Sequence, residues 1–120
     1  MKNVTLVLGA SINPDRYSNI VIKRLLEKEI QIAAIGITKG TISGVVIETE
    51  MKDYKNIETV SLYLNPKRQK LYYDYIINLN PSRVIFNPGT ENKELVKLLQ
   101  ANNIEHEIAC TLVLLSTNQY

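Results

Sequence analysis

Residues 7–19, VLGASINPDRYSN, set a glycine, two small residues, a proline and an arginine between an apolar run and a stretch of helical periodicity. Gly9 permits a sharp exit from a strand and lets another group approach the backbone closely. Ala10 and Ser11 keep the path narrow. Backbone N–H groups at the start of the next helix can face an anion, and the helix dipole favours negative charge there. Arg16 can add a charge-assisted contact. That chemistry is phosphate binding. The same residues also suit a plain turn, with Pro14 stiffening it and Arg16 in solvent, and local chemistry weighs the two readings evenly.

Other segments could join this loop. Thr38-Lys39-Gly40 follows a second apolar run, and Lys39 could meet a phosphate as a point charge, although a solvent-facing lysine is locally the better reading. Asn65-Pro66 and Asn87-Pro88-Gly89 close two further runs, and each reads locally as a strand terminator. G-x-G-x-x-G and the Walker lysine, the two common nucleotide fingerprints, do not occur in the sequence. Cys110 is the single cysteine and is expected to be a buried structural thiol. His106, the single histidine, lies between two glutamates and reads as an exposed strand-face residue. No spacing suggests a zinc site, a two-metal site or a nucleophile elbow. No catalytic residue is therefore assigned, and the chain is not expected to be an enzyme.

These segments need elements to hold them. Val4 to Leu8 is an unalternating apolar run, as expected of a parallel strand buried on both faces. From Ser18, apolar residues at 20, 21, 25 and 26 recur near helical spacing, with Ser18 or Asn19 as the expected cap. Ile30 to Ile37 and Thr59 to Leu64 read as strands, and "TKGTISG" between them reads as a loop. Lys67 to Leu79 reads as one helix burying Leu71, Tyr75, Ile76 and Leu79. Arg83 to Asn87 is a fourth strand, and Glu91 to Asn102 a helix burying Leu95, Leu98 and Leu99. Ile104 to Ala109 is a fifth strand. The run TLVLLST suits a helix or a strand equally.

This alternation predicts an α/β, Rossmann-like doubly wound sheet of about five parallel strands, in a three-layer α/β/α sandwich. Ligands of such sheets bind beyond the C-terminal strand ends, where strand order reverses. At 120 residues the chain is expected to be a single domain, 1–120, with a core that needs no metal or disulfide. A net charge of +2 is too small to argue for nucleic acid or a membrane surface as a partner. One cysteine excludes an intrachain disulfide and fits a cytoplasmic setting. The N-terminal run is too short for a secretory signal, no stretch has membrane-spanning length, and Met1 to Tyr120 reads as a complete small protein.

LVLGASINPDRYSN resembles the opening of the small stand-alone coenzyme A-binding proteins, which are similar to the N-terminal domain of the succinyl-CoA synthetase alpha subunit. Gly9, Ala10, Ser11, Pro14, Arg16, Tyr17 and Ser18 carry the match, and LYLNPKR, VIFNPGTENKEL and IACTLVLLSTNQY continue it over nearly the whole chain. The resemblance implies a nucleotide ligand, coenzyme A or an acyl-CoA, with its phosphates near Gly9 to Ser11 and the helix after Ser18. It implies a basic residue near the nucleotide at Lys39, and it puts Asn65 and Pro66 where the pantetheine arm would leave. Two places depart from the family: Ile108-Ala109 stands where many relatives have Asp-Arg, and GITKGTISG replaces a proline-containing loop. The expected function is non-catalytic CoA binding, with a homodimer possible. The alternatives are an interaction module of the same fold without ligand, or an enzyme using an acyl-CoA or a dinucleotide.

Overall fold

The computed structural model describes residues 2–120. Among these, seven strands form one sheet: β1 (Val4–Ala10), β2 (Gln31–Gly36), β3 (Gly40–Ile42), β4 (Val45–Glu48), β5 (Ile57–Leu62), β6 (Arg83–Phe86) and β7 (Glu105–Ile108). Their order is β3-β4-β2-β1-β5-β6-β7, parallel throughout except for the β3–β4 hairpin. The five expected strands are present, and the hairpin adds two on one edge.

The helices are α1 (Tyr17–Glu27), α2 (Pro66–Gln69), α3 (Tyr73–Leu79), α4 (Lys93–Ala101) and α5 (Thr111–Ser116). Side chains alternate along β1 and separate two apolar layers. Leu6 and Leu8 pack with Ile76 and Leu79 of α3 and with Leu95 and Leu99 of α4. Val7 packs on the other face with Val21, Ile22 and Leu25 of α1 and Leu115 of α5. The result is the three-layer α/β/α arrangement of a Rossmann-like fold.

Several local expectations are corrected. Arg16, not Ser18 or Asn19, holds the cap position of α1, and Ser18 and Asn19 are buried in its first turn. The helix starts early because Asn13 turns the chain: its Oδ1 accepts from Asp15 N at 3.0 Å and its carbonyl from Arg16 N at 3.1 Å. The "TKGTISG" loop contains β3, and Ser43 and Gly44, both with positive φ, make the two-residue turn into β4. The expected helix 67–79 is interrupted by a 3₁₀ turn at Lys70–Tyr72, which rotates Leu71 out to 77% exposure and half-buries both Tyr72 and Tyr73 against the core. Leu98 also faces outward. TLVLLST is helical as α5. Cys110 is only half-buried, because it caps α5 at the rim of the sheet, and His106 is half-buried edge-on to Phe86.

Candidate functional site

The chain leaves β1 through α1 to one side of the sheet and later returns to β5 on the other side of β1. The C-terminal ends of β1 and β5 therefore border the crevice at the switch point. A cavity of about 740 Å³ lies there.

Gly9 shapes its floor. The β1–β2 register shifts between Leu8 and Ala10, so Gly9 is the bulged residue, at φ +102. The bulge turns Ala10 onto the face that carries Val7. A Cβ on Gly9 would lie 2.9 Å from the carbonyl carbon of Tyr63, and one on Gly36 would lie 2.2 Å from the carbonyl oxygen of Ala10. The ends of β2, β1 and β5 thus meet backbone to backbone.

Above this floor the β1–α1 loop is braced by its own polar groups. Ser11 Oγ accepts from Asn13 N at 3.1 Å, and Asn19 Nδ2 donates to Ser11 O at 3.0 Å. Asn19 Oδ1 is buried without a hydrogen-bond partner. No side chain among the described residues caps α1, and its first turn carries no acidic residue, Asp15 standing just before the cap position, so its leading N–H groups are uncapped.

The second wall follows β5. Asn65 Oδ1 accepts from Arg68 N at 2.9 Å and starts α2, with Pro66 in its first turn. The third wall is Pro88–Gly89–Thr90 after β6. Asn87 holds its base, donating from Nδ2 to Ser61 Oγ at 2.9 Å and to Leu62 O at 2.8 Å, and accepting from Thr111 N at 2.9 Å. Ser61 and Thr111 share a buried hydroxyl contact of 2.9 Å. Tyr63 sits beside that pair. Burial pushes its phenol up to about 12, against the pull of the Ser61 and Thr111 hydroxyls.

Of the residues singled out from sequence, Gly9, Ala10, Ser11, Arg16, Tyr17, Ser18 and Asn65 line this cavity. Pro14, Lys39 and Pro66 do not. Lys39 is exposed next to it, and Ile37 and Thr38 of the same segment take the lining position. Pro14 and Pro66 act through the backbone, one in the loop and one in the first turn of α2. Tyr63, Arg68 and Thr90 also line the cavity and were not singled out.

Charge is distributed unevenly around this space. No aspartate, glutamate, histidine or cysteine lines it among the described residues, whereas Arg16 and Arg68 both do. The other two arginines are engaged elsewhere. Arg24 lies 3.4 Å from Glu27, and Arg83 bonds Glu107 at 2.9 Å and lies over the Tyr120 ring at 4.6 Å. The charged side chains of the lining are thus both cationic, which suits an anion.

The profile of the CoA binding domain family matches residues 3–116. The chain belongs to that family. A protein described as uncharacterized has a solved structure similar to this CoA-binding domain over 100% of this chain and 99% of its own, at 42% identity and a TM-score of 0.96. A hypothetical protein from Pyrococcus horikoshii OT3 is similar over 93% of this chain and 80% of its own, at 29% identity and a TM-score of 0.81. A Thermus thermophilus protein shares the fold over 99% of this chain and 91% of its own, at 19% identity and a TM-score of 0.86. No curated protein matches the chain. No helix among the described residues is long and apolar enough to cross a membrane.

The residues present fit a coenzyme A ligand. The volume is of the size that takes an extended small molecule. Two arginines, an uncapped 11-residue helix and a glycine floor match anionic phosphates. Ile12 and Ile37, 54% and 71% exposed, add apolar surface on the same rim.

Proposed function

We propose that this CoA-binding domain holds coenzyme A or an acyl-CoA without chemically changing it. Its phosphates lie against the Gly9–Ser18 loop and the N-terminal turn of α1. The observation that carries this reading is the lining of the switch-point cavity: arginine, hydroxyl, backbone and apolar groups, with no carboxylate, imidazole or thiol among the described residues. Arg16 pairs with phosphate at the mouth, and Ser11 and Ser18 supply hydroxyls along the loop. A binding role needs complementary charge and room, and two arginines and a volume of about 740 Å³ support it. General acid–base catalysis near neutral pH is best served by a histidine or carboxylate, and none lines the cavity among the described residues, while burial keeps the Tyr63 phenol protonated up to about 12.

Calorimetric titration of the full chain with coenzyme A tests this. The expected result is saturable binding that weakens by about tenfold or more in Arg16→Ala. Absence of heat, together with absence of a thermal shift at high ligand concentration, would overturn it. Chemical turnover of an acyl-CoA by the pure protein would overturn the non-catalytic part alone.

A further inference from the structure

Arg68 enters the same cavity from a different element than Arg16. Arg16 leads into α1, which covers one face of the sheet with Val21, Ile22 and Leu25. Arg68 belongs to α2, which runs on into α3 on the opposite face, where Ile76 and Leu79 are buried. The two residues therefore border one cavity from elements that lead to opposite faces of the sheet. Neither guanidinium has a carboxylate or hydroxyl partner among the described residues, while Arg24 and Arg83 both have one.

Position distinguishes Arg68 from its cationic neighbours. Lys67 and Lys70 flank it and neither lines the cavity. Its place is fixed from beneath. Its backbone N–H donates to Asn65 Oδ1, and the adjacent Gln69 is fully buried, donating to Leu64 O and Thr90 O at 2.8 Å each. A braced turn thus presents a planar, forked donor without a hydrogen-bond partner among the described residues.

We propose that Arg68 is a second anion-binding residue of this site. With Arg16, it selects ligands carrying a diphosphate over those carrying a single phosphate. Two guanidiniums arriving from opposite sides need anionic oxygens on two sides of the ligand. A diphosphate provides them on two phosphorus atoms, and a monophosphate on one. This rests on the coenzyme A reading above and adds a specificity-determining residue to it.

The test is equilibrium titration of the full chain with coenzyme A, ADP and AMP, for the wild type, Arg68→Ala, Arg68→Lys and Lys67→Ala. Thermal unfolding of each variant checks that the fold is kept. The wild type is expected to bind coenzyme A and ADP about tenfold or more tightly than AMP. Arg68→Ala should weaken coenzyme A and ADP by about tenfold while changing AMP by about twofold or less, collapsing the preference. Arg68→Lys should recover part of the loss through its charge, and Lys67→Ala should stay within about twofold of wild type. Wild-type-like binding of coenzyme A by Arg68→Ala would overturn the proposal and leave the coenzyme A reading standing. So would equal losses in Arg68→Ala and Lys67→Ala, or an equal loss for ADP and AMP. If the wild type binds none of the three ligands, the reading of the site has failed, and this proposal falls with it.

Discussion

Gln69 and Thr90 are joined inside the protein: Gln69 Nε2 donates to the Thr90 carbonyl at 2.8 Å. The same nitrogen donates to Leu64 O at 2.8 Å, and the Gln69 side-chain carbonyl accepts from Asn92 Nδ2 at 2.9 Å. One buried amide therefore ties the wall after β5 to the wall after β6. Its removal leaves two main-chain carbonyls of cavity-lining residues unpaired in a dry place.

Gln69→Leu keeps the approximate volume and deletes both donors and the acceptor. It should destabilise the fold by roughly 2–4 kcal/mol, since each orphaned buried group costs about 1–3 kcal/mol. Denaturant unfolding measures this. If the amide sets the spacing of the two walls, ligand affinity should fall as well under conditions where the variant is fully folded. Unchanged affinity there would make Gln69 a stability residue only.

Gly9→Ala is expected to be far more damaging than Gly89→Ala. Both glycines have positive φ, +102 and +90. At Gly89 an added Cβ would meet nothing within 4 Å, so only the backbone preference is lost, about 1 kcal/mol. At Gly9 the Cβ would press on the Tyr63 carbonyl carbon at 2.9 Å, and main chain cannot rotate aside as a side chain can. The β1 and β5 ends must then separate, for a total of roughly 2–4 kcal/mol. Comparing the unfolding midpoints of the two variants gives the difference directly. Equal midpoints would mean that the close approach at Gly9 relaxes freely.

The parts of this site that show in the sequence are those whose residue type is forced by backbone geometry. A glycine near the end of an apolar strand, an asparagine before Pro66 and an apolar run with no alternation each have one dominant structural cause, and they were legible, although β1 runs on through Gly9 as a bulge to Ala10 and does not stop there. The β3–β4 hairpin was not. Gly40 reads as a loop residue, but it sits in a strand under the Ile12 side chain, where a Cβ would lie 2.3 Å from Ile12 Cγ2. Arg68 was not legible either, because in the run Pro66-Lys67-Arg68-Gln69-Lys70 every cation has the same solvated appearance. Only the 3₁₀ break at Lys70–Tyr72 and the burial of Gln69 decide which of them turns to the cavity. Gln69 lies just outside LYLNPKR and Thr90 lies within VIFNPGTENKEL, but neither stretch shows that the two residues meet. Their role arises from a contact between two loops, and a local pattern does not encode it.

Asn87 is the counterpart of Gln69 on the other side of the floor. It is 2% exposed and uses both ends of its amide, toward Ser61 and Leu62 on β5 and toward the first N–H of α5. Asn87→Asp is nearly isosteric but replaces a donor by an acceptor facing Leu62 O. The variant should lose roughly 2–4 kcal/mol near neutral pH, where the carboxylate is ionised and buried. It should recover part of that loss at acidic pH, where protonation restores one donor. Burial would raise the folded-state pKa of the introduced carboxyl, so that partial recovery must appear as pH falls through it. A variant whose deficit does not change with pH would show that the site relaxes to admit water.

Tyr63 gives the protein an alkaline signature. Its phenol is held up to about 12 chiefly by burial, reinforced by Cys110 and Tyr120 and opposed by the Ser61 and Thr111 hydroxyls. A tyrosine in the unfolded chain ionises near 10. Between these values the unfolded state has released a proton that the folded state still holds, so rising pH favours unfolding. The contribution is fully present below pH of about 10 and is lost as pH climbs toward about 12. Tyr75 and Tyr54 are raised too, mainly by burial, so the wild-type slope contains several groups. The difference between wild type and Tyr63→Phe isolates this one. The phenylalanine variant should lose stability less steeply across the window, and its phenolate absorbance should lack the Tyr63 contribution at a pH of about 12. Because Tyr63 lines the cavity, an anionic ligand bound there should delay its ionisation further. Titration of the wild type with and without coenzyme A should show a shift to higher pH that is missing in Tyr63→Phe, and identical curves would place the bound anion away from β5.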